Sequence, residues 1–411
     1  PPLRPTSEAS GGRRAGWLAP VSRAYHACYV GQGALGGRDF IGMRDYYALV
    51  KMLRAALHTQ GGGALRPETL RFVLARNFGG KPSMLAHVLR TFAAECFAAT
   101  VDSRSWFEQD RNSSTELDNA TAPLNGEGAT PPAAAGATHF EQPPPVTELV
   151  AANLAERNCR HLMLLTRNLA ALQLLFGCGL LREGGAEGDE GKVEVLFGSV
   201  FPEDLTELHL IKQVNRVKMA MATGATAVLM QHDNIYEALY DVLNQRYVVK
   251  TDAATGRTQR LLRLAIGSRS QLCQVHPAFK LVVVVEAEHA WAHLDLAMLN
   301  RFEKQLFTPE DVLSPRQHAL CARLKAWLLR VSDEAGEDDL GRLVCGYHQG
   351  SLPSLVLALA PDKVAVARQA TAGAVAASRQ ASAEAAAAPA DGKEDGAGAA
   401  SAEEGGAWLP S

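Results

Sequence analysis

The sequence predicts an α/β protein: a mostly parallel sheet with helices on both faces, joined to all-helical blocks through low-complexity segments. Three observations predict it. Short apolar runs recur at residues 162–165, 193–197, 227–230 and 280–285 with helical patterns between them, the alternation of parallel strands joined by crossovers. The last of these runs, Lys280 to Val285, is dominated by valine, as suits a strand buried on both faces. Residues 202–223 carry Leu205, Leu208, Ile211, Val214, Val217 and Met221 on one helical stripe, with Pro202 at the start and Gly224 at the stop.

Each element follows from local chemistry. Residues 1–25 are rich in Pro, Gly, Ser and Arg and read as disordered. Residues 26–100 read as a small helical block. Residues 41–56 space Tyr46, Leu49, Val50 and Leu53 at helical intervals and end at Gly61-Gly62-Gly63. Residues 65–78 open with Arg-Pro-Glu-Thr and stop at Gly79-Gly80, and residues 83–97 form a third helix. Residues 101–146 read as a linker, because six Pro and six Ala crowd its last 26 positions, 121–146, and such a stretch buries too little apolar area to offset chain entropy.

The α/β block spans residues 147–310. Behind the first strand, residues 169–176 read as a helix; behind the third, residues 235–243 do. Residues 311–370 return to helix, at 315–331 and 354–367, and residues 371–411, an Ala, Gly, Ser and Glu stretch, read as a disordered tail.

Composition excludes several classes. With 47% hydrophobic and 21% charged residues the chain buries a core and is not wholly disordered. Its 41 basic and 44 acidic residues leave a net charge of −3, no excess with which to neutralise a phosphate backbone, so nucleic acid is not the expected partner. No run approaches the ~20 apolar residues of a transmembrane helix. The seven cysteines are odd in number and no two lie closer than Cys159 and Cys178, which fits neither a zinc site nor a disulfide framework and points to a reducing, intracellular setting. The chain begins Pro1-Pro2-Leu3, with neither an initiator Met nor a signal leader, and reads as a piece of something larger.

Several passages resemble the AAA+ fold, a P-loop-NTPase-like architecture. Residues 281–304 resemble the passage from the sensor-1 strand to the arginine finger, with Asn300-Arg301-Phe302-Glu303 matching N-R-F-E. Residues 227–245 resemble the Walker-B strand of dynein-like rings, and Gly42-Met43-Arg44-Asp45-Tyr46-Tyr47 a sensor-2 helix. Together with residues 159–175, 195–224 and the segment Cys345-Gly-Tyr-His-Gln-Gly350, they resemble the mysterin-like giant AAA+ RING-type ubiquitin ligases, over residues 38–97 and 147–360. The resemblance implies that residues 26–100 are the lid of a preceding AAA+ module and that residues 147–370 are the next module with its own lid. It implies a cytoplasmic parent protein that hydrolyses ATP with Mg²⁺, binds zinc in a RING, and works with a ubiquitin-conjugating enzyme and ubiquitin. The partners of this module would be neighbouring AAA+ modules of the same polypeptide.

Phosphate binding needs a Gly-rich loop, a Lys and a hydroxyl. At that place the chain offers only Thr166-Arg167-Asn168, and at the Walker-B place Gln231-His232 stands where Asp-Glu would hold Mg²⁺. The module is therefore expected to bind no cofactor and to hydrolyse nothing by itself. Arg301 reads either as a finger reaching a neighbour's ATP or as a partner of Glu303 or another surface carboxylate after the sheet; Arg44 reads either as a sensor-2 arginine or as a helix-face residue held by Asp45 or Asp39. A metal reading of His289 and His293 and a nucleophile reading of Cys273 with His276 both lack the further groups such sites need, so no metal is expected here. Two rivals remain: a module of a dynein- or midasin-like mechanochemical ring without ligase activity, and a non-catalytic protein-binding scaffold.

Overall fold

The computed structural model describes residues 16–31, 41–60, 65–97, 140, 142–182, 192–251, 258–266, 269–331 and 340–359. Of the linker expected at 101–146, residues 101–139 and 141 lie outside them, but its end is a correction: Phe140 packs on Phe97 with ring centroids 5.7 Å apart, and Val146 already begins a helix. The tail 371–411 and the second half of the helix expected at 354–367 also lie outside the described residues.

The helical block contains α1 (Leu18–Gly31), α2 (Met43–Thr59), α3 (Pro67–Phe78) and α4 (Pro82–Phe97). The first is a correction, since residues 18–25 fall within the stretch expected to be disordered. Val21, Ala24, Tyr25 and Cys28 are buried on one face of α1, and the Tyr25 hydroxyl donates to the Gly42 carbonyl. Helix α1 packs on α4, around a core that includes Leu49, Leu53, Leu70, Leu74, Leu89 and Phe92.

The α/β block begins with α5 (Val146–Ala155), then β1 (Leu162–Thr166), α6 (Ala171–Gly177), β2 (Val193–Phe197), α7 (Glu207–Thr223) and β3 (Thr226–Met230). A 3-10 turn at Asp233–Ile235 and a short α8 (Tyr240–Leu243) replace the continuous helix expected over 235–243. Next come β4 (Val248–Thr251), β5 (Thr258–Ile266), β6 (Arg269–Gln274), β7 (Lys280–Glu286), α9 (Ala287–His293), α10 (Leu296–Leu299) and β8 (Glu303–Leu306). The last helices are α11 (Pro315–Val331), α12 (Leu340–Leu343) and α13 (Ser351–Leu359).

Five strands form a parallel sheet in the order β2-β3-β7-β1-β8. The fold is α/β and P-loop-NTPase-like. Alternate residues point to opposite faces. Met163, Leu165, Leu229, Leu281, Val283 and Val285 meet Val214, Val217 and Met221 of α7 on one face. Leu162, Leu164, Val228, Val282 and Val284 meet Val150 of α5 and Leu174 and Leu175 of α6 on the other.

Helix α7 starts later than its apolar stripe. Thr206 caps it by accepting from the His209 N–H at 3.3 Å, and Gly224 ends it at φ 81°, where a side chain would be strained. Leu205 and Leu208, expected in the core, are 56% and 63% exposed because they fall before the helix and on its outer face.

Two features had no apolar signature. Strands β4, β5 and β6 form a separate antiparallel sheet whose outer face is exposed and whose inner face buries Leu262, Leu264 and Cys273 in the core on the α7 side of the parallel sheet. Strand β8 begins Glu-Lys-Gln, and all three of these polar residues are buried. Glu303 faces Arg76, Gln305 donates to the carbonyls of Ala75 and Arg76, and the Lys304 ammonium donates to the Asn300 side chain at 3.4 Å. Because the Leu306 N–H donates to the Gly79 carbonyl, the end of α3 is joined directly to this edge of the sheet.

Candidate functional site

The turn after β1 is the place where a nucleotide-binding relative of this fold would hold phosphate. Asn168 and Leu169 both adopt positive φ, 52° and 55°, which costs a non-glycine residue of order 1 kcal/mol. The turn persists because side chains of this chain occupy it. The Leu169 N–H donates to the Glu286 carboxylate at 2.5 Å, and Thr166 Oγ1 accepts from the Ala171 N–H at 3.1 Å. Arg167 bonds to Gln349, and the Asn168 amide meets His348 Nδ1 at 2.8 Å. A carboxylate thus takes a backbone donor that a phosphate would otherwise use, and His348 and Gln349 contact the turn.

At the end of β3, Gln231 also has positive φ, 49°. A Cβ on Gly198 would stand 1.8 Å from the Gln231 carbonyl oxygen, so only glycine lets β2 end so close to it. His232 is buried, with Nδ1 2.6 Å from Asn234 Oδ1, and burial lowers its pKa. Asp233 is engaged by His289, whose ring packs on His293 with centroids 4.9 Å apart.

Cys273 is buried, which pushes its thiol pKa up, and its sulfur lies 3.8 Å from the Gln271 carbonyl. His276 Nδ1 accepts from the Ala278 N–H and so stabilises the turn before β7.

Arg44 and Arg301 come together. Both line one cleft of about 1180 Å³ between the helical block and the α/β block. Helix α2 supplies Arg44, Lys51 and Arg54 to one wall; the other wall carries Arg246 and Arg301. The acidic side chains in the lining, Glu156 and Glu303, are both bound to Arg76. The cleft is therefore strongly cationic although the whole chain is slightly acidic.

Glu303 and Asp45, the partners expected nearest in sequence, are both taken by other arginines, and Asp39, the other acid expected beside Arg44, lies outside the described residues. Glu303 is bound to Arg76, not to Arg301. Arg301 instead stacks over the Tyr240 ring, 4.1 Å from its centroid, and its Nε is buried without a hydrogen-bond partner. Asp45 is bound to Arg160 at 2.8 Å, which leaves Arg44 exposed at the first turn of α2.

Sequence reasoning missed Arg160, Arg76 and Glu286. Their partners lie 115, 227 and 117 residues away, and no local pattern announces such pairings.

Comparison with known proteins agrees with the fold. Residues 151–313 match the family described as the RNF213 AAA domain. The chain is 29% identical to E3 ubiquitin-protein ligase RNF213 of Mus musculus over 349 residues, 83% of this chain and 6% of that protein. The Homo sapiens protein of the same name gives the same identity and coverage. E3 ubiquitin-protein ligase rnf213-beta of Danio rerio is 28% identical over 308 residues, 74% of this chain and 5% of that protein. The chain thus spans about 6% of the length of the curated relatives it matches.

Proposed function

We propose that this chain, which is RNF213-like and carries an AAA domain at residues 151–313, works as a structural, trans-acting module of a larger ATP-driven ubiquitin ligase. In this reading Arg301 is the arginine finger and Arg44 the sensor-2-like arginine for one ATP held by the preceding module of the same polypeptide. The observation that carries it is the shared cleft, which Arg44 and Arg301 line together with Lys51, Arg54 and Arg246.

The donor set fits a polyphosphate. Guanidinium groups stay charged at every working pH and grip phosphate oxygens in a planar fork. Arg301 would hold charge on the terminal phosphate, and Arg44, Lys51 and Arg54 would hold the remainder. Both lining carboxylates are spoken for by Arg76, so Mg²⁺ would be held by the neighbouring module. The occupied Thr166 turn supports a module that takes no nucleotide of its own. Ubiquitin transfer, with its zinc-bound RING, its ubiquitin-conjugating enzyme and ubiquitin itself, would reside elsewhere in a cytoplasmic parent protein.

The test is the ATPase rate of the full-length protein. Arg301→Ala is expected to lower kcat about 10³-fold, the low end for an arginine supplied in trans, while nucleotide binding is retained. An unchanged rate removes the finger assignment.

A further inference from the structure

Arg160 touches the elements that carry both cleft arginines. Its NH1 donates to Asp45 Oδ1 at 2.8 Å and to the Asn300 carbonyl at 3.3 Å, and its NH2 donates to Asn77 Oδ1 at 2.7 Å. Asp45 directly follows Arg44, and Asn300 directly precedes Arg301. We infer that Arg160 is a positioning residue: one guanidinium fixes the first turn of α2 and the turn before β8 relative to each other, and so sets the distance between Arg44 and Arg301. The inference rests on reading the cleft as a phosphate site.

Each arm of the clamp is itself held. The second oxygen of Asp45 accepts from the Gly42 N–H at 3.2 Å, which ties the carboxylate to the start of α2. Asn77 is anchored through its amide, which donates to the Val73 carbonyl at 2.8 Å. The turn at Asn300 and Arg301 is closed by N–H donors to Leu296 and Met298. Arg160 is rooted at the base of β1: its carbonyl accepts from the Asn153 amide at 3.1 Å, and the His161 carbonyl beside it accepts from the Glu303 N–H at 2.9 Å.

The geometry asks for arginine in particular. Three acceptors from three elements converge on one planar fork, and a lysine ammonium on its flexible stem keeps the Asp45 ion pair without reaching all three. The Asp45 side chain is only 3% exposed, so it remains a committed acceptor in any variant that folds. A misplacement of ~1 Å between groups that act on one ligand can cost up to about 100-fold in rate, so the clamp matters whether or not Arg160, which itself lines the cleft, also meets the ligand.

Two measurements test this. Calorimetric titration of the 411-residue chain with inorganic tripolyphosphate compares Arg160→Lys with Arg44→Ala and Arg301→Ala. Arg160→Lys is expected to fold with a melting temperature close to the parent's and to bind about tenfold more weakly. In the full-length protein, Arg160→Lys is expected to lower kcat by about tenfold with little change in KM, and to have little further effect once Arg301 is alanine. Full loss in both backgrounds, or parental binding and kcat in Arg160→Lys, overturns the positioning role. If Arg44→Ala and Arg301→Ala themselves bind tripolyphosphate like the parent, the phosphate reading of the cleft fails instead, so the two failures are separable.

Discussion

Arg76 and Glu303 face each other in a two-pronged ion pair, Nε to Oε1 at 2.7 Å and NH2 to Oε2 at 2.8 Å, across 227 residues of sequence. One sits near the end of α3 and the other opens β8. Their side chains are 6% and 1% exposed, so the contact lies in the seam between the helical and α/β blocks. Burial by itself would lower the Arg76 pKa; the adjacent Glu303 carboxylate more than reverses this and raises it. Glu156 and Asn153 complete the network at 2.7 Å each.

Removing one partner of this pair is expected to destabilise the chain more than removing both. Glu303→Gln leaves a buried guanidinium partly unpaired and should cost about 3 kcal/mol or more in urea unfolding. Arg76→Met strands the carboxylate and should cost a similar amount, about 3 kcal/mol. The double variant Arg76→Met, Glu303→Met should recover part of the loss. Strictly additive single effects would show that the pair does not act as a unit.

The Thr166 turn is expected to take no nucleotide. A fluorescent ATP analogue titrated into the chain should show no binding that depends on Arg167, because Glu286, His348 and Gln349 already engage the turn. Saturable binding that disappears in Arg167→Ala but survives in Arg301→Ala would place a nucleotide at this turn after all.

Acid should destabilise the α/β block through His161. This imidazole is buried and its pKa falls from 6.5 to about 3, through desolvation first and the nearby Lys280 ammonium second. The folded state holds it neutral, and its Nδ1 accepts from the Leu281 N–H at 3.2 Å. Between pH 6.5 and 3 the unfolded chain therefore binds the extra proton. His161 contributes stability that is fully present above pH 6.5 and is lost as pH falls towards 3, by up to ~1.4 kcal/mol per pH unit. Urea midpoints at pH 7 and pH 5 should differ in the parent chain, and the difference should shrink in His161→Asn. An equal difference in both would assign the acid sensitivity to other groups.

The fold was legible where burial is two-sided. The valine run of β7 and the apolar β1 and β3 announce themselves because a strand covered on both faces must be apolar throughout. Strand β8 hides because Glu303, Lys304 and Gln305 are buried polar residues whose acceptors and donors come from other elements. The sheet β4-β5-β6 hides because one face is open and the alternation of Leu262 and Leu264 with Arg263 is short. Helix α1 hides because its few buried side chains sit beside a Pro- and Gly-rich start.

The candidate site divides in the same way. Arg44 and Arg301, the missing glycine loop at Thr166 and the Gln231-His232 pair could be picked out from sequence, because a local motif, or its absence, spans only a few residues. Tertiary structure alone decided that both arginines line one cleft, that Arg76 claims Glu303 and Arg160 claims Asp45, and that Glu286 takes the Leu169 N–H in the turn after β1. The physical reason is separation along the chain. Helical and strand periods are set by neighbours a few residues apart, whereas an ion pair depends on where two distant segments are packed, and that is settled only when the cores on the two faces of the sheet have closed.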